Sequence, residues 1–459
     1  MSTTLSLPKV FLNRMNSLCG FSWEEQYTFP LHRGLRVNTL KTTKEHLKPL
    51  LASWELVDTP FSPLGFSIQG EEKVGTHPLH HAGAFYMQEP SAMAAVTILD
   101  PKPGEKVLDL CAAPGGKSTQ IASLLQGEGL LWCNEFVANR AVVLCQNLER
   151  LGVTNSVVTS MDTTPLCDTL EGTFDKVLVD APCSGEGMFR KEPAALEHWS
   201  PENISLCAKR TSSILDNAAK AVRPGGKLLF STCTFAPEEN ECQIAAFLMR
   251  HPEFSLLPLS PSFGRSGFSW DTVSVFTKET YTRKDNLTNC LRIFPEDGGE
   301  GHFIALLEKN KDFLVNPKPR NTLVTDKKAP LKELEQWFSP LPKGIITLVG
   351  STWKVLPNEW EPHKKLHILS AGVPFAQICK NRLEPTHAVY MAFGKNACQK
   401  VFLSLEDPRT YAYLRGESIP CDLQKSYAAV LIEEIPIGFG KVTNGILKNH
   451  YPKGLRNLQ

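Results

Sequence analysis

This sequence has no surplus of charge, no long apolar run and no paired cysteine spacing, and each absence removes a class of protein. Lys and Arg number 49 against 48 Asp and Glu, a formal net charge of +1. Affinity for a polyanion must therefore come from local clusters rather than from a global field. No stretch approaches the roughly 18–20 apolar residues that a membrane-spanning helix needs. Nothing of signal-peptide form precedes the first periodic segment, so a cytoplasmic protein with no membrane partner is expected. The 13 cysteines are odd in number and include no C-x-x-C. That argues against a disulfide framework and against a structural zinc, and no metal is expected. Neither an internal repeat nor a low-complexity tract is present.

What is there describes a multidomain globular chain. At 459 residues, 42% hydrophobic and 21% charged, it exceeds what one core supports, and two to four domains are expected. Cys133, Cys145, Cys207 and Cys242 sit in apolar strand or helix patterns and read as small buried hydrophobes. Lys441, Lys448, Lys453 and Arg456, with His450 and no acidic residue between 441 and 459, form the one local basic cluster that stands out.

Residues 96–310 alternate strand-like and helix-like patterns, which predicts an α/β, doubly wound, Rossmann-like core. Strands are expected at 106–110, 130–133, 157–158, 176–179, 227–230 and 302–307. A helix should run from Lys117 to about Leu125. Another should bury Ala138, Ala141, Val142, Cys145, Leu148 and Leu151 and end at Gly152, and a third should run from Pro201 to Val222 before Pro224-Gly225-Gly226. Residues 1–95 read as a separate α/β module, 311–330 as a linker, and 331–395 and 396–459 as two small β-rich domains.

Between the first strand and helix lies Cys111-Ala112-Ala113-Pro114-Gly115-Gly116-Lys117-Ser118, where open α/β sheets bind ligands. Gly116-Lys117-Ser118 suggests a triphosphate loop, but Cys111 occupies the position of that motif's first glycine, and no G-x-G-x-x-G is present. Asp109, Glu135, Asp162 and Asp180 follow four successive strands, with Glu135 26 residues after Asp109. Four acids along one sheet edge suit a ligand with a cationic centre, an amino group and a ribose. S-adenosylmethionine fits that description better than a polyphosphate does. Any single Asp among them could instead be a helix cap or turn residue.

Two cysteines follow two of the predicted strands: Cys183 in Asp180-Ala181-Pro182-Cys183-Ser184-Gly185-Glu186-Gly187, and Cys233 in Ser231-Thr232-Cys233-Thr234. Such a pair suggests chemistry that forms and then breaks a covalent bond. Which of the two attacks is left open by the residues alone.

At these motifs the chain resembles the Nol/Nop/Sun family of RNA cytosine-carbon-5 methyltransferases. Supporting matches are Asn134-Glu135, Tyr86-Met87-Gln88-Glu89-Pro90-Ser91, Glu239-Asn240-Glu241 and Gly299-Glu300-Gly301-His302-Phe303. The ends resemble one branch, the bacterial small-subunit ribosomal RNA methyltransferase F type. Gly34-Leu35-Arg36-Val37-Asn38-Thr39 carries the likeness at one end, and Gly438-Phe439-Gly440-Lys441 with the segment 448–456 looks like a PUA-like RNA-binding tail at the other. Phe294-Pro295-Glu296 departs from the family, which often has a Pro-His pair there, so no histidine role is carried over to it.

The resemblance implies methylation of cytosine carbon 5 in RNA, most of all small-subunit ribosomal RNA, with transfer RNA as the alternative substrate. A non-catalytic RNA-binding assembly factor is the alternative from another class, disfavoured because Cys183, Cys233 and Asp180 are all present. Cys233 would be the nucleophile, Cys183 would assist release and Asp180 would bond the base. Cys111, Ala112, Ala113, Pro114, Gly115, Gly116, Lys117, Glu135, Asp162 and Asp180 would line the S-adenosylmethionine site. Phe189, Arg190 and Lys191 are candidates to contact a flipped nucleotide, with a packing or surface role as the alternative. RNA is the expected partner, and a monomer is expected.

Overall fold

Four short strands near the N-terminus, β1 (Gly34–Val37), β2 (Leu56–Asp58), β3 (Gly65–Ile68) and β4 (Phe85–Met87), form an antiparallel sheet in the order β2-β3-β1-β4. The structure is a computed structural model and describes residues 7–70, 74–313, 329–363, 365–380 and 382–457. This sheet is not independent of the rest of the chain. Asn38 Nδ2 donates to the carbonyls of Gly83 and Leu151, both at 2.8 Å, tying it to the end of a core helix. Its buried Leu35, Val37, Phe66 and Phe85 share one hydrophobic cluster with Val430, Ile437 and Leu447 of the C-terminal sheet.

The core is a mixed sheet. Strands β5 (Lys106–Asp109), β6 (Leu130–Asn134), β7 (Ser156–Thr159), β8 (Phe174–Asp180) and β9 (Val222–Thr232) run parallel in the order β9-β8-β5-β6-β7. Strands β10 (Phe254–Leu256), β11 (Arg265–Ser266), β12 (Leu291–Ile293) and β13 (His302–Lys309) complete that side, with β13 antiparallel to β9. Alternate side chains enter opposite cores, as the two-residue period of a strand requires. Leu108, Val177, Val179, Leu228 and Phe230 enter one, and Val107, Leu178 and Leu229 enter the other. Because both faces are covered, these strands are continuous apolar runs. Strand order reverses at β5, with β6 on one side and β8 on the other. The strand carboxyl ends at that point form the ligand crevice of such sheets.

Two helix expectations are corrected. The helix Ala138–Arg150 buries Ala141, Leu144 and Leu148, whereas Ala138 is exposed and Val142 is 51% exposed. The inward stripe runs Ala141, Leu144 and Leu148 at spacings of three and four; Val142 lies beside it, and Ala138 is the exposed first residue of the helix. The helix Pro201–Ala221 is not ended by Pro224-Gly225-Gly226. It passes directly into β9, and Val222 pairs with Phe174 before a register shift in β8.

Beyond the core, β14 (Ile345–Val349), β15 (Thr352–Leu356), β17 (Val373–Cys379) and β18 (Arg382–Pro385) form a four-stranded sheet. The intervening β16 (Ile368–Ala371) leaves that sheet and pairs antiparallel with β7. It caps the edge of the core sheet, which would otherwise present unpaired backbone groups. The expected linker, 311–330, lies for the most part outside the described residues. Strands β19 (Lys400–Leu403), β20 (Ile419–Pro420), β21 (Tyr427–Ile432), β22 (Ile435–Thr443) and β23 (Ile446–Asn449) form the last sheet, in the order β19-β21-β22-β23-β20. The basic stretch from Lys441 is therefore part of a folded sheet, with Leu447 and Tyr451 buried and Lys448 and Lys453 exposed. Across position 395, Tyr390 stacks on Phe439 at 4.6 Å, so the two C-terminal segments share a core. Among the described residues no helix is long and apolar enough to cross a membrane.

Candidate active site

The ends of β5, β8 and β9 converge at the switch point, and each is followed by a loop that carries reactive side chains. Leu110 N donates to the Leu178 carbonyl at 3.0 Å, Ala112 N to Asn134 at 2.9 Å and Ala181 N to Ser231 at 2.9 Å, so the loops leave the sheet in fixed directions. The loop 111–116 then turns into the helix Gly116–Leu125 through Gly115, whose φ of 111° is open to glycine and strained for other residues. Arg140 and Asn147 hold its carbonyls at Ala113 and Pro114, at 2.9 and 2.8 Å.

Cys183 Sγ and Cys233 Sγ stand 3.5 Å apart. Two buried carboxylates tie their loops reciprocally. Glu186, on the Cys183 loop, accepts from Thr234 Oγ1 at 3.0 Å and Phe235 N at 2.9 Å. Glu239, beyond Cys233, accepts from Ser184 N at 2.9 Å and from Ser184 Oγ. Asn240 brackets the cysteine, accepting from Thr232 Oγ1 at 2.6 Å and donating to the Thr234 carbonyl at 2.9 Å. Gly187 N donates to the Cys233 carbonyl at 2.9 Å, and a Cβ there would press on that same oxygen. The Cys183 thiol is pushed well above its ordinary pKa, first by its hydrogen bond with Cys233 and then by burial. Burial lifts Glu239 to about 8, with Glu186 and Glu238 adding to the shift against the hydrogen bonds from Ser184.

Asp180, the last residue of β8, meets Lys117 from the cofactor-type loop, Nζ to Oδ2 at 2.7 Å, and accepts from Ser231 Oγ at 2.8 Å. Burial opposes charge on both partners. Their mutual attraction outweighs it, so the Asp180 carboxyl is lowered and the Lys117 ammonium raised. His302 Nε2 lies 3.5 Å from Lys117 Nζ, and its Nδ1 lies 3.3 Å from Ser91 Oγ. Burial and then Lys117 depress its pKa to about 4, so the imidazole is neutral at pH 7.

The other expected residues divide. Asp109 is 1% exposed and accepts from Ser118 Oγ at 2.7 Å, while its Oδ1 finds no protein partner; burial raises it to about 7. Glu135 accepts from Val137 N at 2.9 Å through Oε1, which leaves Oε2 with Arg140 at 3.7 Å. Asp162 is exposed and caps the helix Thr163–Thr169, accepting from Thr164 N at 2.8 Å, so it lies on the same sheet edge without touching the Lys117–Asp180 pair. Burial, then Asp109 and Asp180, push the Cys111 thiol up, which suits a packing role.

Phe189 is 1% exposed and packs on Phe11 at 5.2 Å, and Arg190 grips Glu300 at 2.8 and 3.0 Å. Neither is free to meet a nucleotide, which leaves half-buried Lys191 of the three. Ser231, Ser184, Glu186, Glu239 and His302 join the candidate site through contacts that the sequence does not show, although each lies inside or beside a motif quoted above. Phe136, directly after Glu135, is 69% exposed. Among the described residues no cluster of His, Cys, Asp and Glu could hold a metal.

Three family models match the chain. They are 16S rRNA methyltransferase RsmB/F over residues 96–308, the N-terminal domain of 16S rRNA methyltransferase RsmF over 7–90, and the methyltransferase RsmF PUA domain over 400–457. The ribosomal RNA small subunit methyltransferase F of Klebsiella pneumoniae (strain 342) is 32% identical over 93% of this chain and 90% of its own length. This chain belongs to the ribosomal RNA small subunit methyltransferase F family. The Escherichia coli O127:H6 member has the same identity, 32%, and the same coverage, 93% and 90%. Among solved structures, a methyltransferase homolog protein from Pyrococcus horikoshii is 30% identical, with a TM-score of 0.55, over 66% of this chain and all of its own. NSun6 from Pyrococcus horikoshii, solved with SFG, has a TM-score of 0.56 at 24% identity over 67% of this chain and all of its own, and supports the fold. For this family member, the match over 400–457 makes the last sheet a PUA domain.

Proposed function

We propose that this protein transfers a methyl group from S-adenosylmethionine to carbon 5 of a cytosine in small-subunit ribosomal RNA, through a covalent bond between Cys233 and carbon 6. The observation that carries the reading is the pair of thiols 3.5 Å apart beside the Lys117–Asp180 ion pair. Family membership supports it through the substrate named for the relatives.

The residues at the switch point fit the cofactor. Buried Asp109 keeps an oxygen without a protein partner, Glu135 keeps one with only a long contact, and the first turn of the helix at Gly116 has amides without intrahelical acceptors. Phe136 adds an exposed aromatic face beside Glu135 for the adenine. When bound, S-adenosylmethionine supplies an electrophilic methyl group.

Carbon 5 of cytosine is a poor nucleophile until carbon 6 is attacked. Cys233 adds to carbon 6, and the proton it gives up passes to ring nitrogen 3. Asp180, held as a carboxylate, accepts from the exocyclic amino group and from protonated nitrogen 3, with the Lys117 ammonium beside it balancing charge. After carbon 5 is methylated, its proton leaves and the carbon 6–sulfur bond breaks. Cys183, held as a thiol, gives its proton to the departing Cys233 sulfur and takes up the carbon 5 proton, so both thiols are restored. The proton on nitrogen 3 goes to solvent. The target base has to leave its stack to meet groups on both faces.

The test is transfer of label from S-adenosylmethionine to 30S subunits, naked small-subunit ribosomal RNA and transfer RNA, with nucleoside analysis of the product. Label in 5-methylcytosine of ribosomal RNA is expected. Label confined to transfer RNA, or to another nucleoside, would contradict the reading.

A further inference from the structure

Arg36 is a buried cation of the N-terminal sheet. It lies on β1 opposite Tyr86 of β4, is 0% exposed, and has no carboxylate partner among the described residues. Its guanidinium instead reaches into the core domain. Nη1 donates to the Gly116 carbonyl at 2.7 Å and to Gln88 Oε1, and Nη2 donates to Thr119 Oγ1 at 2.7 Å. The guanidinium lies 5.6 Å from the centre of the Tyr86 ring. Burial lowers its pKa to about 9, still well above neutrality, so the group remains charged at pH 7.

The acceptor it has found is informative. The carbonyl of Gly116 and the N–H of Lys117 belong to one planar peptide unit. That N–H is in the first turn of the helix Gly116–Leu125, where amides lack intrahelical acceptors and are available to a ligand. A cationic donor on the carbonyl fixes the plane of this unit. It also polarises the unit, which strengthens the N–H at the other end as a donor. Tyr86 and Gln88 close the arrangement from above, because a Cβ at Gly116 would come within 3.3 Å of Tyr86 Cε1 and 3.7 Å of Gln88 Cδ.

We propose that Arg36 is a positioning residue for S-adenosylmethionine, acting through the Gly116–Lys117 peptide, so that the N-terminal sheet completes the cofactor site of the core. The inference rests on the S-adenosylmethionine reading of that loop. It also gives Arg36, within the segment Gly34–Thr39, a role that the mechanism does not otherwise use.

The experiment is calorimetric titration of S-adenosylmethionine into full-length wild type, Arg36→Met, Arg36→Lys and Gln88→Met. It is run at a temperature where circular dichroism shows each variant folded, alongside affinity for ribosomal RNA without cofactor. Arg36→Met should raise the cofactor Kd about tenfold or more, as loss of a charged hydrogen bond does. Arg36→Lys should recover part of the loss, and Gln88→Met, which frees one side of the guanidinium, should cost about threefold. RNA affinity should stay within about twofold of wild type. If Arg36→Met does not fold, the other two variants decide. Folded variants that bind cofactor like wild type would overturn the role of Arg36, as would parallel losses for RNA and cofactor. Wild type that does not bind S-adenosylmethionine would overturn the underlying reading as well.

Discussion

Lys117 Nζ and Asp180 Oδ2 meet at 2.7 Å across the switch point of the core sheet, one from the first turn of the helix after β5 and the other from the end of β8. Lys117 keeps 10% of its side chain exposed and Asp180 32%, so the pair is shielded but open on the carboxylate side. In the proposed reaction, a base entering from that side would meet a fixed anion with its counter-charge behind it. The cost of holding that anion before substrate arrives is met by Lys117 and Ser231.

Lys117→Met removes the group that keeps the Asp180 carboxyl low. With its largest counterweight gone and Ser231 left as the hydrogen-bond donor, burial should raise the Asp180 pKa. The carboxylate is present above its pKa and lost as pH falls through it, so the acid limb of the kcat/KM profile should move to higher pH. Activity near neutrality should fall by about 10²–10⁴, the usual scale for a positioned acid–base or electrostatic group. A pH–rate profile checks both. An unshifted acid limb would separate Lys117 from Asp180.

Glu239 makes an opposite prediction for stability. Its pKa is raised from 4.5 in the unfolded reference to about 8 in the fold. The stabilisation linked to its proton is complete below about 4.5 and is lost as pH rises through about 8, at no more than about 1.4 kcal/mol per pH unit. Glu239→Gln keeps an acceptor for Ser184 N and stays neutral. Urea unfolding from pH 5 to 8.5 should show a shallower decline for this variant than for wild type. Equal slopes would mean that Glu239 does not titrate in that window.

The C-terminal charges should act on RNA alone. Lys448 is exposed on the last sheet and Lys453 in the turn after it, and neither is among the residues that touch Lys117 or Asp180. Replacing both with Ala should reduce the slope of log K against log salt by about one to two, the counterion release of two phosphate contacts, with cofactor affinity unchanged. Point substitutions are the right instrument here. Removing residues 441–459 would take away β23 and buried Leu447 and Tyr451 and unfold the sheet.

The core was legible in the sequence because strands covered on both faces must be continuous apolar runs, and Val107-Leu108 and Val177-Leu178-Val179 are such runs. The places of Cys183, Cys233, Asp180 and the 111–117 loop in the fold were legible because they stand at or just after the ends of such runs, Leu228-Leu229-Phe230 being the one before Cys233. Local spacing carries no record of partners brought from a distance. Nothing around Ile368 says that β16 will leave its own sheet for β7. Nothing around Arg36 says that it will donate to Gly116, a contact made across 80 residues. Glu186 and Glu239 look like ordinary polar loop residues until the fold sets each against the other's loop. Asp162 also caps a helix through Oδ1, a role that its place after a strand did not reveal.

The central claim is that Cys233 makes the covalent bond and Cys183 helps to break it. The most direct measurement is denaturing electrophoresis of Cys233→Ala and Cys183→Ala after incubation with labelled ribosomal RNA and S-adenosylmethionine. Cys233→Ala should form no adduct and transfer no methyl group, and Cys183→Ala should leave a trapped protein–RNA band. A trapped band in Cys233→Ala, with none in Cys183→Ala, would contradict the claim.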